Sequence, residues 1–365
     1  MRKTRILAIA VALGLVVVLA AACGGGGGGQ GGSQGGGKKG GKIALLLPES
    51  KTTRYERQDR PIFEAAVKKQ CADCDILYSN ADQDASKQQQ QAEAAITNGA
   101  QVLVIDPVDA ESAAVIAQRA KQSDIPVLSY DRLVQKGDLD GYVSFDNEQV
   151  GKLQGQWIVD NVKKGSDIVM INGSPTDPNA GLFKKGAHSV IDQSGLKVGA
   201  EYDTPDWSPD EAQREMDQAI TRLGGENIGG VYAANDGTAG GAIAAMKAAG
   251  IKPLPPTTGQ DAELDAVQRV LDGTQGMTVY KAIRDEATTA AKMSVSLLQD
   301  GKLPTDLKTT GVDNGKGKIS SVLLKPVVVT PDNVKDTIIA DKFYKVSEIC
   351  TPEYKDACRK AGLTG

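Results

Sequence analysis

The chain has 365 residues, 42 of them glycine, and its 46 acidic residues outnumber 42 basic ones, giving a formal charge of −4. Thirteen glycines lie between Gly24 and Gly41, so the excess is one patch and not a collagen-like or low-complexity composition. The acidic balance argues against a nucleic-acid partner, and a single histidine argues against His-based catalysis; neither a metal nor a cofactor is predicted. The 324 residues after the patch are more than a single hydrophobic core usually supports, which predicts two lobes.

The first 22 residues are typical of a secretory signal. Three basic residues among the first five precede an apolar run of seventeen residues over 6–22, which ends in small residues. A membrane-spanning helix is the alternative, but it needs about 20 apolar residues, and this run is shorter. The three alanines before Cys23 resemble the lipobox of bacterial lipoproteins, which implies cleavage after residue 22 and a lipid on Cys23.

Residues 23–41 are therefore predicted to be a lipid-bearing cysteine followed by a glycine-rich tether. A flexible glycine-rich chain of this length has a reach of about 20–25 Å. The lipid is expected to be the chain's sole attachment to the membrane. The folded body is expected to be extracytoplasmic, at the cell surface or in the periplasm.

Four further cysteines are Cys71, Cys74, Cys350 and Cys358. An even number in an exported chain predicts two disulfides, for which three connectivities exist. The local pairs, Cys71–Cys74 and Cys350–Cys358, are preferred. A redox-active C-x-x-C is the alternative for the first pair, but such motifs lie at helix N-termini, whereas Cys71 follows a helical run and Cys74 precedes a strand. A zinc site is less favoured still.

From Lys42 onward, short apolar runs alternate with helical periods. The predicted strands are 43–47, 76–78, 102–105, 127–129, 142–145, 168–171, 198–202, 230–233 and 277–280. The predicted helices are 62–69, 85–97, 112–121, 150–162, 182–193, 209–223, 238–249, 262–271 and 287–298. This repeated βαβ pattern predicts an α/β fold with parallel sheets in two tandem lobes. In such sheets, ligands bind beyond the carboxyl ends of the strands.

Polar and aromatic residues follow nearly every predicted strand. They are Arg54, Tyr55, Tyr130, Asp131, Arg132, Asn172, Ser174, Asp177, Asn179, Asp206, Trp207, Asn235, Asp236, Gln260, Asp261, Tyr280 and Lys281. Each sugar hydroxyl both donates and accepts a hydrogen bond, so carboxylates, amides and cations together suit it. Trp207 and Tyr55 offer flat surfaces for the apolar faces of a sugar ring. The strand ends therefore predict a sugar-binding site.

Several of these residues have simpler explanations. An Asp at a strand end is commonly a helix N-cap, which is the preferred interpretation of Asp84, Asp109 and Asp236. The alternative for Asp131 and Arg132 is a surface ion pair. Paired carboxylates also catalyse glycoside hydrolysis, but nothing in the sequence places two of them about 5–10 Å apart, as that chemistry requires.

Seven segments of the body closely resemble the D-xylose-binding proteins of bacterial ABC sugar importers. They are Arg54-Tyr55, SYDRL (129–133), YVSFDNEQVG (142–151), GSPTDPNA (173–180), NDGTAGGAI (235–243), GQDAEL (259–264) and GTQGMTVYK (273–281). The resemblance extends from about Lys42 to Phe343. It implies the type I periplasmic-binding fold, in which two Rossmann-like lobes joined by three hinge crossovers close on one monosaccharide.

The resemblance also implies a set of ligand-binding residues: Arg54, Tyr55, Asp131, Arg132, Asp177, Asn179, Trp207, Asn235, Asp261 and Lys281. Tyr55 stands where the family usually has tryptophan, and the other nine keep the family's residue type. The family does not support Asp206, Asp236 or Gln260 as contacts, although all three follow predicted strands.

Lobe boundaries follow the same resemblance. The first lobe is expected at 42–144 and 282–312, and the second at 145–281 and 313–329. A tail at 330–365 extends past the family's usual end and carries the Cys350/Cys358 pair.

The expected function is capture of a monosaccharide by lobe closure and its delivery to the permease of an ABC importer. D-xylose is the expected sugar, with glucose, galactose and arabinose as alternatives. A sugar sensor for a chemoreceptor or kinase would use the same site. A glycoside-processing enzyme is the alternative of a different class, but no enzymatic activity is expected. The chain is expected to act as a monomer.

Overall fold

The computed structural model describes residues 40–363. The predicted signal peptide at 1–22, the lipid site at Cys23 and nearly all of the tether at 23–41 lie outside the described residues. Within 40–363, the helices are too short or too polar for any of them to span a bilayer.

Strands and helices alternate through the described chain. The strands are β1 Lys42–Leu47, β2 Asp75–Asn80, β3 Val102–Ile105, β4 Val127–Tyr130, β5 Gly141–Phe145, β6 Asp167–Asn172, β7 Lys197–Asp203, β8 Ile228–Ala233, β9 Thr278–Tyr280, β10 Thr310–Asp313, β11 Lys318–Leu324 and β12 Val327–Val329. The helices are α1 Arg60–Gln70, α2 Ala85–Thr97, α3 Ala114–Lys121, α4 Asn147–Asn161, α5 Pro178–Ile191, α6 Pro209–Leu223, α7 Asp236–Ala248, α8 Leu264–Asp272, α9 Ile283–Asp300, α10 Val346–Ile349 and α11 Lys355–Lys360.

The first lobe is the seven-stranded sheet of order β10-β11-β5-β4-β3-β1-β2, with helices α1, α2, α3 and α9. Its strands are parallel except for the antiparallel β10–β11 pair. Alternate residues of β1 point to opposite faces: Ile43, Leu45 and Leu47 join one buried cluster, while Ala44 and Leu46 join another. A strand that is apolar on both faces is stable only when helices cover the two sides of the sheet.

The second lobe contains the parallel sheet β7-β6-β8 and the antiparallel pair β9–β12, with helices α4 to α8. Two isolated bridges connect these strands, one between Val231 and Thr257 and one between Gln260 and Val279. Both lobes therefore present the carboxyl ends of parallel strands, where a ligand site is expected.

The chain passes between the lobes three times, after β5, after β9 and after β11. This is the mostly parallel α/β architecture of two lobes joined by three crossovers that the sequence predicted. One expected boundary differs. Residues 318–324 were assigned to the second lobe, but β11 pairs with β5 in the first, because its apolar residues extend that sheet's edge. Strands β10, β11 and β12 were not predicted.

Helices α4 and α5 pack closely through glycines, which we call the glycine seam: Gly151 and Gly155 of α4 and Gly186 of α5. A Cβ at Gly151 would overlap the carbonyl oxygen of Phe183, and one at Gly186 would overlap the carbonyl oxygen of Glu148. The two helix backbones therefore touch, and a side chain at either position would force the helices apart.

The C-terminal segment, 330–363, packs on the second lobe. Val334, Ile338 and Ile349 join a buried cluster with Val267 and Leu271 of α8. The structure contains the two local disulfides favoured from the sequence, Cys71–Cys74 and Cys350–Cys358. The second of them closes this segment between α10 and α11.

Candidate functional site

A small cavity lies between the carboxyl ends of the strands of the two lobes. Its volume is about 20 Å³, and it is lined by Thr52, Arg54, Tyr55, Asp131, Arg132, Asp177, Phe183, Trp207, Asn235, Asp261 and Lys281. Nine of the ten residues proposed from the sequence thus lie around one space. Asn179 does not line it, whereas Thr52 and Phe183 were missed by the sequence analysis.

Arg54 is fixed from behind by two buried carboxylates. Its Nε and Nη2 donate to the two oxygens of Asp59 at 2.9 and 2.6 Å, and Nη2 also donates to Glu286 at 2.6 Å. The remaining nitrogen, Nη1, faces the cavity and lies 3.4 Å from Asp131 and 3.8 Å from Asp261. The guanidinium is therefore held in one orientation, with one edge directed at a ligand.

Arg132 is the second fixed cation of the first lobe. Its Nε lies 2.9 Å from Asp177 of the opposite lobe and 3.6 Å from Asp106, and its Nη2 donates to the Tyr55 hydroxyl at 3.1 Å. That hydroxyl in turn donates to Asp131 at 3.2 Å. Tyr55 is thus a bridge between a cation and a carboxylate as well as an aromatic surface.

Asp131 follows β4 with a left-handed backbone (φ 53°), a conformation that short polar side chains tolerate. Its carbonyl oxygen accepts bonds from Tyr142, Ser144 and Asn179 at 2.9, 2.6 and 3.0 Å, which stabilise this turn. Burial tends to raise the pKa of Asp131. The charges of Arg54, Lys281 and Arg132 outweigh it and lower this pKa to about 2. Its carboxylate is therefore a permanent acceptor.

Asp177 and Trp207 form one unit on the second lobe. Asp177 is the N-cap of α5, and one of its oxygens accepts the backbone N–H of Asn179 at 2.8 Å. Its other oxygen accepts the indole N–H of Trp207 at 3.1 Å. The Trp207 ring also meets Phe183 edge to face, with centroids 6.3 Å apart. The indole is thus held in place as a flat wall.

Asn179 stays a predicted ligand contact, whereas Asp109 and Asp236 are not the helix N-caps that the sequence predicted. Asp109 lies in the turn before α3, whose N-cap residue is Ala113. Asn179 lies behind the cavity wall, where its amide donates to the Asp131 carbonyl and accepts from Asn147, so it positions Asp131. Asp236 is not a helix N-cap, because Asn235 caps α7. Asp236 is instead buried, and it accepts bonds from Gln275 and Thr278 at 2.8 and 2.9 Å.

Lys281 completes the second wall. Its ammonium lies 3.0 Å from Asp261 and 3.8 Å from Asp131, and the rings of Phe145 and Phe183 lie 5.5 and 5.9 Å from it. Burial tends to lower the pKa of Lys281, but the charges of Asp261 and Asp131 outweigh it and raise the pKa. The lysine is therefore charged and directed at the cavity.

Three buried acids behind the first wall were missed by the sequence analysis. Burial raises the pKa of Glu49, and it raises the pKa of Asp106 and of Glu286 well above the ordinary range. A sequence signal existed for two of them, since Asp106 directly follows β3 and Glu49 comes shortly after β1. Glu286 lies in α9, far along the chain, and had no such signal.

The lining groups suit reversible hydrogen bonding. Ionised acceptors, fixed donors and two aromatic walls surround one small space, as a ligand with many hydroxyls requires. Among residues 40–363, no group of three or more His, Cys, Asp or Glu side chains is arranged to hold a metal ion.

Comparison with known proteins places this site in a family. Residues 43–303 match the family model described as "Periplasmic binding protein domain". The chain is 38% identical over 312 residues to the D-xylose-binding periplasmic protein of Escherichia coli, covering 84% of this chain and 92% of that one. The protein of the same description from Haemophilus influenzae is 38% identical over the same length, with the same coverage.

The fold comparison agrees. An ABC transporter solute-binding protein from Clostridium phytofermentans, solved with bound β-D-glucose, superposes with a TM-score of 0.78 at 30% identity. The match covers 84% of this chain and 99% of that one. The family model, the relatives and the two-lobed architecture all agree. The chain belongs to the periplasmic binding protein family, with the type I fold.

Proposed function

We propose that this chain captures a monosaccharide between its lobes and delivers it to an ABC importer. The observation that carries the proposal is the cavity itself. Nine residues with the chemistry of a sugar site, drawn from both lobes, surround one small cavity. A ligand that touches both lobes only when they are together favours the closed state, which provides the mechanism of capture.

D-xylose is the sugar we propose. The relatives described as D-xylose-binding support it at 38% identity. The seven segments that resemble that family contain nine of the ten proposed ligand residues, all except Trp207. Glucose is the main competitor, since it is the sugar bound in a solved protein that is 30% identical. The two sugars differ by one hydroxymethyl group, so cavity size decides between them.

Titration calorimetry of the purified protein with xylose, glucose, galactose, arabinose and ribose tests this proposal. We expect xylose to bind most tightly. Asp261→Ala should weaken binding at least about 10-fold, because buried hydroxyls left unpaired cost about 1–3 kcal/mol. The matched control is Asp210→Ala, an exposed position on α6, which should bind like the unaltered protein. Absence of binding for all five sugars would overturn the proposal.

The proposed role is transport, not catalysis. Membership in a family of substrate-binding proteins supports it. The low pKa of Asp131 also supports it, because this carboxylate cannot act as a proton donor near neutral pH. Incubation with chromogenic xylosides should release no product. Steady turnover that Asp261→Ala abolishes would replace transport with glycoside processing.

We also propose that Cys23 carries a lipid that anchors the chain outside the cytoplasm. The apolar run over 6–22 and the small residues before Cys23 support this. In cells that express the full chain, Cys23→Ser should move the protein from the membrane fraction to the soluble fraction. A protein that stays with the membrane after this change would contradict the anchor.

Import and sensing differ in the partner and not in the site. Delivery to a permease predicts that deleting the permease abolishes growth on the sugar while leaving binding by this protein intact. Growth that persists, together with capture of a chemoreceptor or kinase by the sugar-loaded protein, would favour the sensor.

A further inference from the structure

Among the hydrogen bonds that join the two lobes outside the cavity, one links a backbone N–H to a buried carboxyl side chain. The backbone N–H of Thr53, in the loop after β1 of the first lobe, donates to Oε1 of Glu263 at 3.0 Å. Glu263 immediately precedes α8 of the second lobe and is buried. The bond therefore exists only in the arrangement in which the lobes meet.

The two partners of this bond adjoin residues of the cavity wall. Thr53 directly precedes Arg54, and Glu263 follows Asp261 by two residues. A ligand that engages Arg54 and Asp261 together therefore brings Thr53 and Glu263 within bonding distance. The bond can therefore form when the lobes close although neither of its partners contacts the ligand.

Glu263 is rigidly held on the second lobe. Its own N–H donates to Oδ2 of Asp236 at 2.9 Å, and the same oxygen accepts from Thr278 of β9 at 2.9 Å. The other oxygen of Asp236 accepts from Gln275 at 2.8 Å. This network fixes the backbone at Glu263 through contacts within the second lobe alone.

The Thr53 loop is held equally well on the first lobe. The N–H of Thr52 donates to Oε2 of Glu49 at 2.9 Å, and Glu49 lies 3.7 Å from Arg132 of the cavity wall. The carbonyl of Thr53 accepts from the N–H of Arg57 at 3.2 Å. Because neither partner must be ordered when the lobes meet, the bond forms at a small entropic cost.

Other contacts between the lobes are of different kinds. Arg132 and Asp177 pair inside the cavity, where a ligand would compete for them. Ala110 and Thr176 are joined through backbone atoms alone, and Gln83 reaches the Asp206 carbonyl from an exposed position. The buried Asn179 amide also crosses the lobes, but its acceptor is the carbonyl oxygen of Asp131, a residue of the cavity wall. Glu263 has a buried side chain, and neither it nor Thr53 lines the cavity.

We propose that Glu263 is a latch residue that holds the closed lobes together and so sets how long the ligand stays bound. It is a positioning residue and not a ligand contact. The inference rests on the proposed function, since a latch on lobe closure matters only if closure encloses a ligand. We expect Glu263 to affect the dissociation rate of the ligand and not its association rate, because the bond forms after the ligand has entered.

The test compares three variants of the full protein by stopped-flow sugar binding. Glu263→Ala removes the acceptor and should raise the dissociation rate about fivefold or more, with the association rate within twofold, since one net hydrogen bond changes an equilibrium by about two- to tenfold. Glu263→Gln keeps an acceptor oxygen and should restore slow dissociation. Asp265→Asn removes an exposed carboxylate two residues away and should change neither rate.

The outcomes separate the latch from the function. If the unaltered protein binds none of the five sugars, the proposed function fails and the latch with it. If it binds and Glu263→Ala dissociates at the unaltered rate, the latch alone is wrong. A fold defect would appear as a lower melting temperature of sugar-free Glu263→Ala. In that case the Gln variant decides: slow dissociation supports the latch, and fast dissociation overturns it.

Discussion

The two walls of the cavity are built in different ways. On the first lobe, Arg54 and Arg132 face the cavity with carboxylates packed behind them, so their charges are compensated within the lobe. On the second lobe, the groups extend from helix caps and from left-handed backbone, as at Trp207 and Asp261 (φ 54° and 91°). Lys281 has its partners, Asp261 and Asp131, at the cavity itself.

Because of this difference, substitutions in the two walls should affect stability and sugar binding to different extents. Removing a first-wall cation leaves buried acids without their partner, whether or not a ligand is present. Removing a second-wall group mainly removes an interaction that the closed site uses. We therefore expect substitutions in the first wall to lower both stability and affinity, and substitutions in the second wall to act chiefly on affinity.

The largest expected effect is that of Arg54→Ala. Asp59 and Glu286 lose their shared cation, and breaking a buried ion pair from one side costs about 3–5 kcal/mol of unfolding free energy. Sugar binding should fall at least about 100-fold, since a charged donor is lost as well. Denaturant unfolding and calorimetry measure the two effects. An unfolding free energy that does not change would break the distinction between the walls.

Lys281→Met should separate the two effects. Methionine retains a long apolar stem against Phe145 and Phe183 but removes the charge near Asp261. We expect sugar affinity to fall about 10-fold or more. The loss of unfolding free energy should be smaller than for Arg54→Ala in the same titration. A loss equal to that of Arg54→Ala would show that both walls are stabilised alike.

Tyr55→Phe should have a smaller effect. The hydroxyl is lost from between Arg132 and Asp131, while the ring remains. One net hydrogen bond contributes about 0.5–1.5 kcal/mol, so affinity should fall about two- to tenfold. Calorimetry beside Trp207→Phe, which loses the indole bond to Asp177, shows whether the two aromatic walls contribute equally. If the affinity of Tyr55→Phe is unchanged, the Tyr55 hydroxyl does not contribute to binding and only the packing of its ring remains.

A dependence of stability on pH is a separate expected effect, which acts with or without a ligand. Burial and the nearby acids Asp236, Asp265 and Asp261 raise the pKa of Glu263 to about 8, from an ordinary value of 4.5. The folded state therefore holds this proton more tightly than the unfolded state does, and the resulting stability declines as the pH rises from about 4.5 to 8. Burial also raises the pKa of Asp236, to about 7, which acts in the same direction.

Melting temperatures between pH 5 and 9 check this expectation. They should fall as the pH rises, and Glu263→Gln should reduce the slope. Asp131 contributes in the opposite direction, but its lowered pKa of about 2 confines that contribution to pH values below about 4. A slope that Glu263→Gln leaves intact would assign the titration to other groups.

Much of the candidate site was predictable because strand ends converge. A residue that follows a buried parallel strand lies near the carboxyl edge of the sheet, so Asp131 after β4 and Asp177 in the loop after β6 could be grouped without coordinates. The same rule would have found Asp106, which directly follows β3. The rule cannot say whether a side chain faces the cavity or lies behind it, so it could not foresee that the Asn179 amide donates to the carbonyl oxygen of Asp131.

What escaped prediction depends on packing between distant parts of the chain. Glu286 reaches Arg54 only because α9 returns to the first lobe after the second crossing. Phe183 lies within an ordinary amphipathic helix, where one apolar face looks like another. The error at Asp236 comes from the N-cap of α7, which is Asn235, one residue earlier than predicted. Strand β10 escaped prediction because it is too exposed to show an alternating apolar pattern.

The glycine seam has a consequence for how this site can evolve. Gly151 touches the backbone at Phe183, and Phe183 lines the cavity, so the spacing of two helices sets the position of one cavity wall. A larger residue in the seam would move that wall while every polar ligand group kept its identity. Substitutions at residues that do not contact the sugar could therefore change the selectivity among sugars of different size.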